Sequence, residues 1–143
     1  MTIQKINEQE WAQGVYEKIC AKMLATAKRN RHKIPYTAEN GVFDDQAVTN
    51  PCWWTNGFWG GILWQLYHAT GNELYREMAE EVEDKLDLCL MEHRGMDHDS
   101  GFRWLPTSVV NYRLTGNEKS YNRARLAADN MAGRYNPAGR FIR

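Results

Sequence analysis

The sequence has no excess of either charge: across 143 residues, 18 Lys and Arg offset 18 Asp and Glu. A chain without net charge lacks the long-range field that draws proteins onto nucleic acid or anionic lipid, so neither is an expected partner. Long apolar runs are missing too. The longest, Gly57 to Tyr67, is broken by Gln65 and is too short to cross a bilayer, and Met1 to Gln9 has no apolar core of the kind a signal peptide carries. The expectation is a cytoplasmic protein without membrane contact. Cysteine is sparse: Cys20, Cys52 and Cys89 form an odd, scattered set with no CxxC pair, which argues against a zinc ribbon or a redox motif and reads as buried thiols. No segment alternates polar and apolar residues as a strand would, which leaves an all-α class. Length and a hydrophobic content of 43% suit one domain spanning 1–143.

What is present is helical periodicity. Trp11, Val15, Ile19, Met23 and Ala27 recur every four positions, predicting an amphipathic helix from Asn7, as its cap, to about Arg29. Residues 31–52 hold Pro35, Asn40, Gly41 and Pro51 without a sustained period and read as a long loop lying across the mouth of a site. A second helix starts after Thr55 or Asn56 and runs to Ala69, apolar nearly all round. Its Gly57, Gly60 and Gly61 each cost about 1 kcal/mol relative to Ala in a helix, so a neighbouring backbone must need that close approach. A third helix, from Asn72 to about Glu92, carries Tyr75, Met78, Val82, Leu86, Cys89 and Leu90 on one face. Glu77, Glu80, Glu81, Glu83 and Lys85 are assigned to its solvated side.

The phrase Thr70-Gly71-Asn72-Glu73 returns as Thr115-Gly116-Asn117-Glu118, with Tyr67 and Tyr75 matched by Tyr112 and Tyr121. Each copy ends a short helix at a glycine and caps a longer one with Asn, which makes the pair repeated αα-hairpins. The second hairpin is expected from Pro106 or Thr107 to Leu114 and from Asn117 to about Arg134, with Tyr121, Ala124, Ala128 and Met131 inward. Hairpins of this kind bury their faces only against further hairpins, in an open solenoid or a closed toroid. Roughly two hairpins are too few for that, so the domain reads as incomplete. The apolar faces of Trp59, Leu63 and Val82 are then expected to be exposed, and the chain to self-associate.

Two clusters could carry chemistry. In Cys52-Trp53-Trp54-Thr55-Asn56-Gly57-Phe58-Trp59-Gly60-Gly61-Ile62-Leu63-Trp64, helical spacing puts Trp59 and Trp64 in the core. Trp53 and Trp54 precede the helix, either as buried loop residues or as platforms for a sugar ring. In Met96-Asp97-His98-Asp99-Ser100-Gly101-Phe102, the residue types touch on a calcium loop, but Ser108 stands where its closing Glu belongs. Cys89, His93 and His98 supply three candidate zinc ligands without an evident fourth. Asp99 beside His98 suits acid/base or substrate-orienting work, and equally suits an Asx turn or a helix cap.

The string from Trp54 to Trp64, followed by Thr70-Gly71-Asn72 and by Asp97-His98-Asp99-Ser100-Gly101-Phe102, resembles glycoside hydrolase family 88, the unsaturated glucuronyl hydrolases. The resemblance runs from about Asn50 to Arg143. It implies the N-terminal part of an (α/α)6 barrel of the six-hairpin glycosidase kind. The implied activity removes the unsaturated (Δ4,5) uronic acid from lyase-generated oligosaccharides, not by displacement at the anomeric carbon but by hydration of the C4=C5 enol ether. It implies no metal and no organic cofactor. It further implies that Asp99 matches the first of two active-site aspartates, that His98 matches its neighbouring histidine, and that Trp54 lines the subsite of the unsaturated ring. The second aspartate would fall beyond Arg143, which implies that the chain alone is inactive. Asp97 stands where relatives often have a second His, and Trp53 and Asn56 replace acids, which bears on substrate preference. The neighbouring unsaturated rhamnogalacturonyl hydrolases, and a non-catalytic α-helical binding module, are the alternatives.

Overall fold

The computed structural model describes residues 7–142, and its contacts divide the chain into two compact units, Met1–Arg31 and His32–Arg143. The first unit is one helix, α1 (Glu8–Arg29). Asn7 caps it by accepting the Gln9 N–H, Glu8 and Glu10 sit in the first turn, and Lys28 and Arg29 sit in the last, where each charge opposes the helix dipole. Asn30 ends it, its amide nitrogen donating to the Thr26 carbonyl at 2.9 Å.

The second unit opens with the segment expected to be a plain loop, and it is more ordered than that. Two short strands, β1 (Ala38–Glu39) and β2 (Val42–Phe43), pair antiparallel, with Ala38 opposite Phe43. Asn40 and Gly41 turn between them with φ of +51° and +80°, the left-handed pair that a two-residue hairpin requires. The short helix α2 (Gln46–Thr49) follows, capped by Asp45, which accepts from the Ala47 N–H. Asp44 accepts the N–H groups of Tyr36 and Thr37 at 2.8 and 2.9 Å. Burial works against its charge, but these amides and the side chains of Gln46 and Thr37 hold its carboxyl below the ordinary range.

Two helical hairpins make up the rest. The first joins α3 (Asn56–Thr70) to α4 (Glu73–Met91). The second runs through α5 (Gly101–Trp104), a π turn (Leu105–Val109) and α6 (Val110–Thr115) into α7 (Glu118–Gly133). The repeated Thr-Gly-Asn phrase builds the same corner twice. Gly71 and Gly116 take φ of +66° and +74° and donate to the Tyr67 and Tyr112 carbonyls, each at 2.8 Å. Thr70 and Thr115 donate back to the carbonyls of Leu66 and Asn111 and accept from the N–H of Asn72 and Asn117. Asn72 and Asn117 then cap α4 and α7. Beyond α7, β3 (Tyr135–Asn136) pairs antiparallel with β4 (Phe141–Ile142).

The second hairpin starts earlier than its proline suggests. Helical winding begins at Gly101, and Pro106 lies inside the π turn rather than at a helix start; the wider winding accommodates a residue that has no N–H to donate. α5 and the π turn pack on α3, and its glycines let them do so, Gly57 against α5 and Gly60 and Gly61 against the π turn. A Cβ on Gly57 would overlap the Phe102 carbonyl and lie 2.5 Å from the Arg103 Cα. On Gly60 it would lie 2.8 Å from Thr107 Cγ2, and on Gly61 2.7 Å from Pro106 Cβ.

Trp59, Leu63, Trp64, Tyr75, Met78, Val82 and Leu86 form the core between these helices. The expected exposure of Trp59, Leu63 and Val82 is therefore corrected: all three are buried, because α3 and α4 pack on each other and the π turn packs on α3. Phe58, Ile62, Phe102 and Leu105 are among the apolar side chains left in solvent. Glu83 is corrected as well. It lies on the buried face of α4, where its carboxylate accepts from Ser108 (3.0 Å), Asn111 (2.9 Å), Ser120 (2.6 Å) and the indole of Trp64 (3.3 Å). On α7 the buried residues are Ser120, Arg123 and Ala127, so the helix is rotated from the expected face to deliver polar groups to Glu83. Arg123 also binds Asp87 at 2.6 Å and Asp84 at 2.5 Å. Burial opposes charge on Arg123, yet these carboxylates raise its affinity for the proton further. Among the described residues no helix is long and apolar enough to cross a membrane.

Candidate active site

Trp54 stands in the turn that leads into α3, the place where a side chain projects before helical packing takes over. Its ring lies 5.9 Å from Phe58 and 5.6 Å from Phe102, and Phe58 and Phe102 are themselves 5.6 Å apart, so the three rings form one half-exposed aromatic surface. Trp53 lies behind Trp54, between it and Tyr36, at 6.3 Å from each, and its indole nitrogen is buried without a hydrogen-bond partner.

Phe102 connects this surface to the second cluster, because its N–H donates to the Asp99 carbonyl at 2.9 Å as α5 begins. The turn before α5 is built by Asp97, not by Asp99. Asp97 Oδ1 accepts the Asp99 N–H at 3.0 Å, an Asx turn, and the Asp97 carbonyl accepts the Ser100 N–H. That division of labour keeps the Asp99 carboxylate out of the turn. It is 29% exposed, with Oδ2 at 3.6 Å from Nε2 of the largely exposed His98. Trp54, His98 and Asp99 are thus joined through Phe102 at one end of the hairpin pair.

Arg103 holds this arrangement from behind, and nothing in its sequence neighbourhood singled it out. Its side chain is buried, and its guanidinium donates to the Cys52 carbonyl at 2.9 Å, to the Gly95 carbonyl, and to Ser100 Oγ at 3.3 Å. It stacks on Trp104 at 5.1 Å and lies 3.8 Å from Asp97 Oδ1. One residue therefore ties the turn before Trp53 and Trp54 to both ends of the loop 95–100. Gly95, at φ +61°, packs so closely on Cys52 that a Cβ there would meet the Cys52 carbonyl oxygen at 2.9 Å. As for metal ligands, no group of three or more His, Cys, Asp or Glu gathers among the described residues, Cys89, His93 and His98 included.

No family model matches the chain. Individual proteins do. An unsaturated chondroitin disaccharide hydrolase of Streptococcus pyogenes serotype M1 is 30% identical over 113 residues, covering 76% of this chain and 26% of that protein. The crystal structure of an unsaturated glucuronyl hydrolase from Streptococcus agalactiae superposes with a TM-score of 0.75 at 26% identity, covering 88% of this chain and 32% of that one.

The chain is a relative of the unsaturated glucuronyl hydrolases.

It spans about a quarter of the length of the curated hydrolase and about a third of the crystallised one. Its repeated hairpins superpose on a part of the (α/α)6 barrel of those glucuronyl hydrolases. An aspartate mutant of the Streptococcus agalactiae enzyme, crystallised with ΔGlcA-GalNAc6S, superposes with a TM-score of 0.71 at 26% identity over 83% of this chain and 32% of that one.

Proposed function

We propose that this chain carries one wall of the active site of a glycoside hydrolase that removes the unsaturated (Δ4,5) uronic acid from lyase-generated oligosaccharides. The single observation that carries the reading is the junction at Phe102, whose ring packs on the half-exposed Trp54 and whose N–H bonds the backbone carbonyl of Asp99, a residue whose carboxylate its own turn does not use. In this reading Trp54 stacks on the flat unsaturated ring, where an indole face gains most from a planar partner. Asp99 and His98 bind and orient the sugar hydroxyls. The enol ether is then hydrated: a proton is delivered to C4, water adds at C5, and the hemiketal collapses to release the remaining glycan. No step calls on a metal or an organic cofactor.

The proton donor is a second aspartate outside these 143 residues, which form an incomplete α/α-toroid domain. That the chain spans 26% and 32% of the lengths of these two relatives supports this reading, in which the chain alone is inactive. The names of those relatives favour a chondroitin-type disaccharide as the ligand. The exposed Phe58, Ile62, Phe102 and Leu105 favour self-association of the isolated chain.

The test is a titration of the purified chain with unsaturated chondroitin and rhamnogalacturonan disaccharides, followed by tryptophan fluorescence and by the ultraviolet absorbance of the enol ether. The expected result is quenching by the chondroitin disaccharide that Trp54→Ala removes, with no loss of absorbance. Turnover by the chain alone would overturn its inactivity. Absence of quenching by either sugar would sink the sugar-binding reading and leave a helical interaction module, and a response to the rhamnogalacturonan sugar alone would move the substrate to that class.

A further inference from the structure

We propose that Cys52 and Cys89 are a paired oxidation site, closing to a disulfide that ties the turn before Trp53 and Trp54 to the last turn of α4. The two sulfurs stand 2.7 Å apart although the residues are 37 positions apart in the chain, and both are free thiols. The Cys89 thiol also lies 3.5 Å from the Pro51 carbonyl, so it is aimed at this turn by more than one contact. The third cysteine, Cys20, is on α1.

The two thiols differ in a way that orders the chemistry. Cys89 has no exposed surface, whereas Cys52 is only partly buried, which makes Cys52 the more accessible residue of the two. Burial and the contact with Cys52 push the Cys89 thiol up to about 12, so it holds its proton until its partner has reacted. Arg103 and Arg94 oppose that shift on Cys89 without outweighing it.

With hydrogen peroxide as oxidant, the Cys52 thiolate attacks one peroxide oxygen. The O–O bond breaks, leaving a sulfenic acid on Cys52 and, once a proton is taken up, one water. The Cys89 sulfur then attacks the Cys52 sulfur and the S–O bond breaks. The departing hydroxyl leaves as a second water, taking the Cys89 proton. Two thiols have lost two electrons, and one peroxide has been reduced to two waters. A dithiol reductant reverses the bond by exchange.

The link falls on the frame that positions the candidate site. The Cys52 carbonyl anchors Arg103, which in turn holds Gly95 and Ser100 on either side of Asp97, His98 and Asp99. The proposal stands apart from the sugar reading, since it concerns only these sulfurs.

The experiment treats the reduced full chain with hydrogen peroxide, blocks remaining thiols with a maleimide, and maps peptides by mass spectrometry without reduction. The expected product is a cross-linked pair of peptides carrying Cys52 and Cys89, two hydrogens lighter than their sum, cleaved by dithiothreitol, with Cys20 recovered as its maleimide adduct. The Cys20→Ser chain gives the same cross-link. Recovery of Cys52 and Cys89 as separate adducts, over-oxidation of Cys52 alone, or a cross-link through Cys20 would each overturn the proposal. Because the decisive readout is on the unsubstituted chain, it does not depend on any variant folding.

Discussion

Glu83 and Arg123 meet 3.4 Å apart inside the hairpin stack, their side chains 0% and 7% exposed. Charged groups so far from water are stable only where every lone pair and proton is engaged, and here Ser108, Asn111, Ser120 and Trp64 complete the set around Glu83. Removing the carboxylate strands all of these donors. Glu83→Ala is expected to cost about 3–5 kcal/mol in urea unfolding, and Glu83→Gln less, since its carbonyl oxygen still accepts. A cost below about 1 kcal/mol for the alanine variant would show that the donors find other partners.

Asp84 gives the acid side of the stability profile. Burial raises its carboxyl, but hydrogen bonds from Lys119 and Arg123 outweigh that and hold it below the ordinary range. A carboxyl depressed in the folded state contributes stability above its unfolded value, about 3.9, and that contribution fades as pH falls through the lower folded value. Asp84→Asn is therefore expected to unfold less steeply than the parent as pH is lowered below about 4. The effect is small, because the Asp84 side chain is 62% exposed. Identical acid slopes in the two chains would count against it.

The glycines of α3 predict an order. At Gly57 an added methyl meets the backbone of Phe102 and Arg103, which cannot move without displacing α5, whereas at Gly60 and Gly61 the first obstacles are side-chain atoms of Thr107 and Pro106. Gly57→Ala should lower the melting temperature most, by the equivalent of about 3 kcal/mol or more, despite the gain of about 1 kcal/mol in helix propensity. If Gly61→Ala proves worse, the α3–α5 approach is looser than described.

Arg103 predicts a local effect rather than a global one. In Arg103→Met the carbonyls of Cys52 and Gly95 lose their donor while the methionine fills much of the same space. Amide hydrogen exchange is expected to quicken across residues 95–100, with α4 protected as before. Uniform loss of protection along the chain would assign Arg103 to general stability instead.

The features legible in the sequence are those made by near neighbours. The corners at Gly71 and Gly116 bond only within a few residues, so Thr-Gly-Asn announces them, and the crowded glycines of α3 announce a close backbone before it is seen. Glu83 was illegible for the opposite reason. Its neighbours along α4 are acidic and solvated, and the groups that make its burial tolerable come from α6, α7 and the π turn. The β1–β2 hairpin was signalled by Asn40-Gly41, but strands of two residues are too short to alternate. At the candidate site, Trp54, His98 and Asp99 stood out as residue types. Which aspartate builds the turn, and that Arg103 lies beneath it, depends on contacts across the fold.

The π turn at Leu105–Val109 acts as an indexing step. A π turn widens the winding as if one extra residue had been slipped into an α-helix, so everything downstream is turned by about 100° relative to an uninterrupted helix. Ser108 and Asn111 reach Glu83 from that rotated setting, while Arg103, upstream of it, faces the site loop. One inserted residue thus lets a single helical rod serve two masters, structural polarity on one side and the turn of the candidate site on the other, without a break in the chain between them.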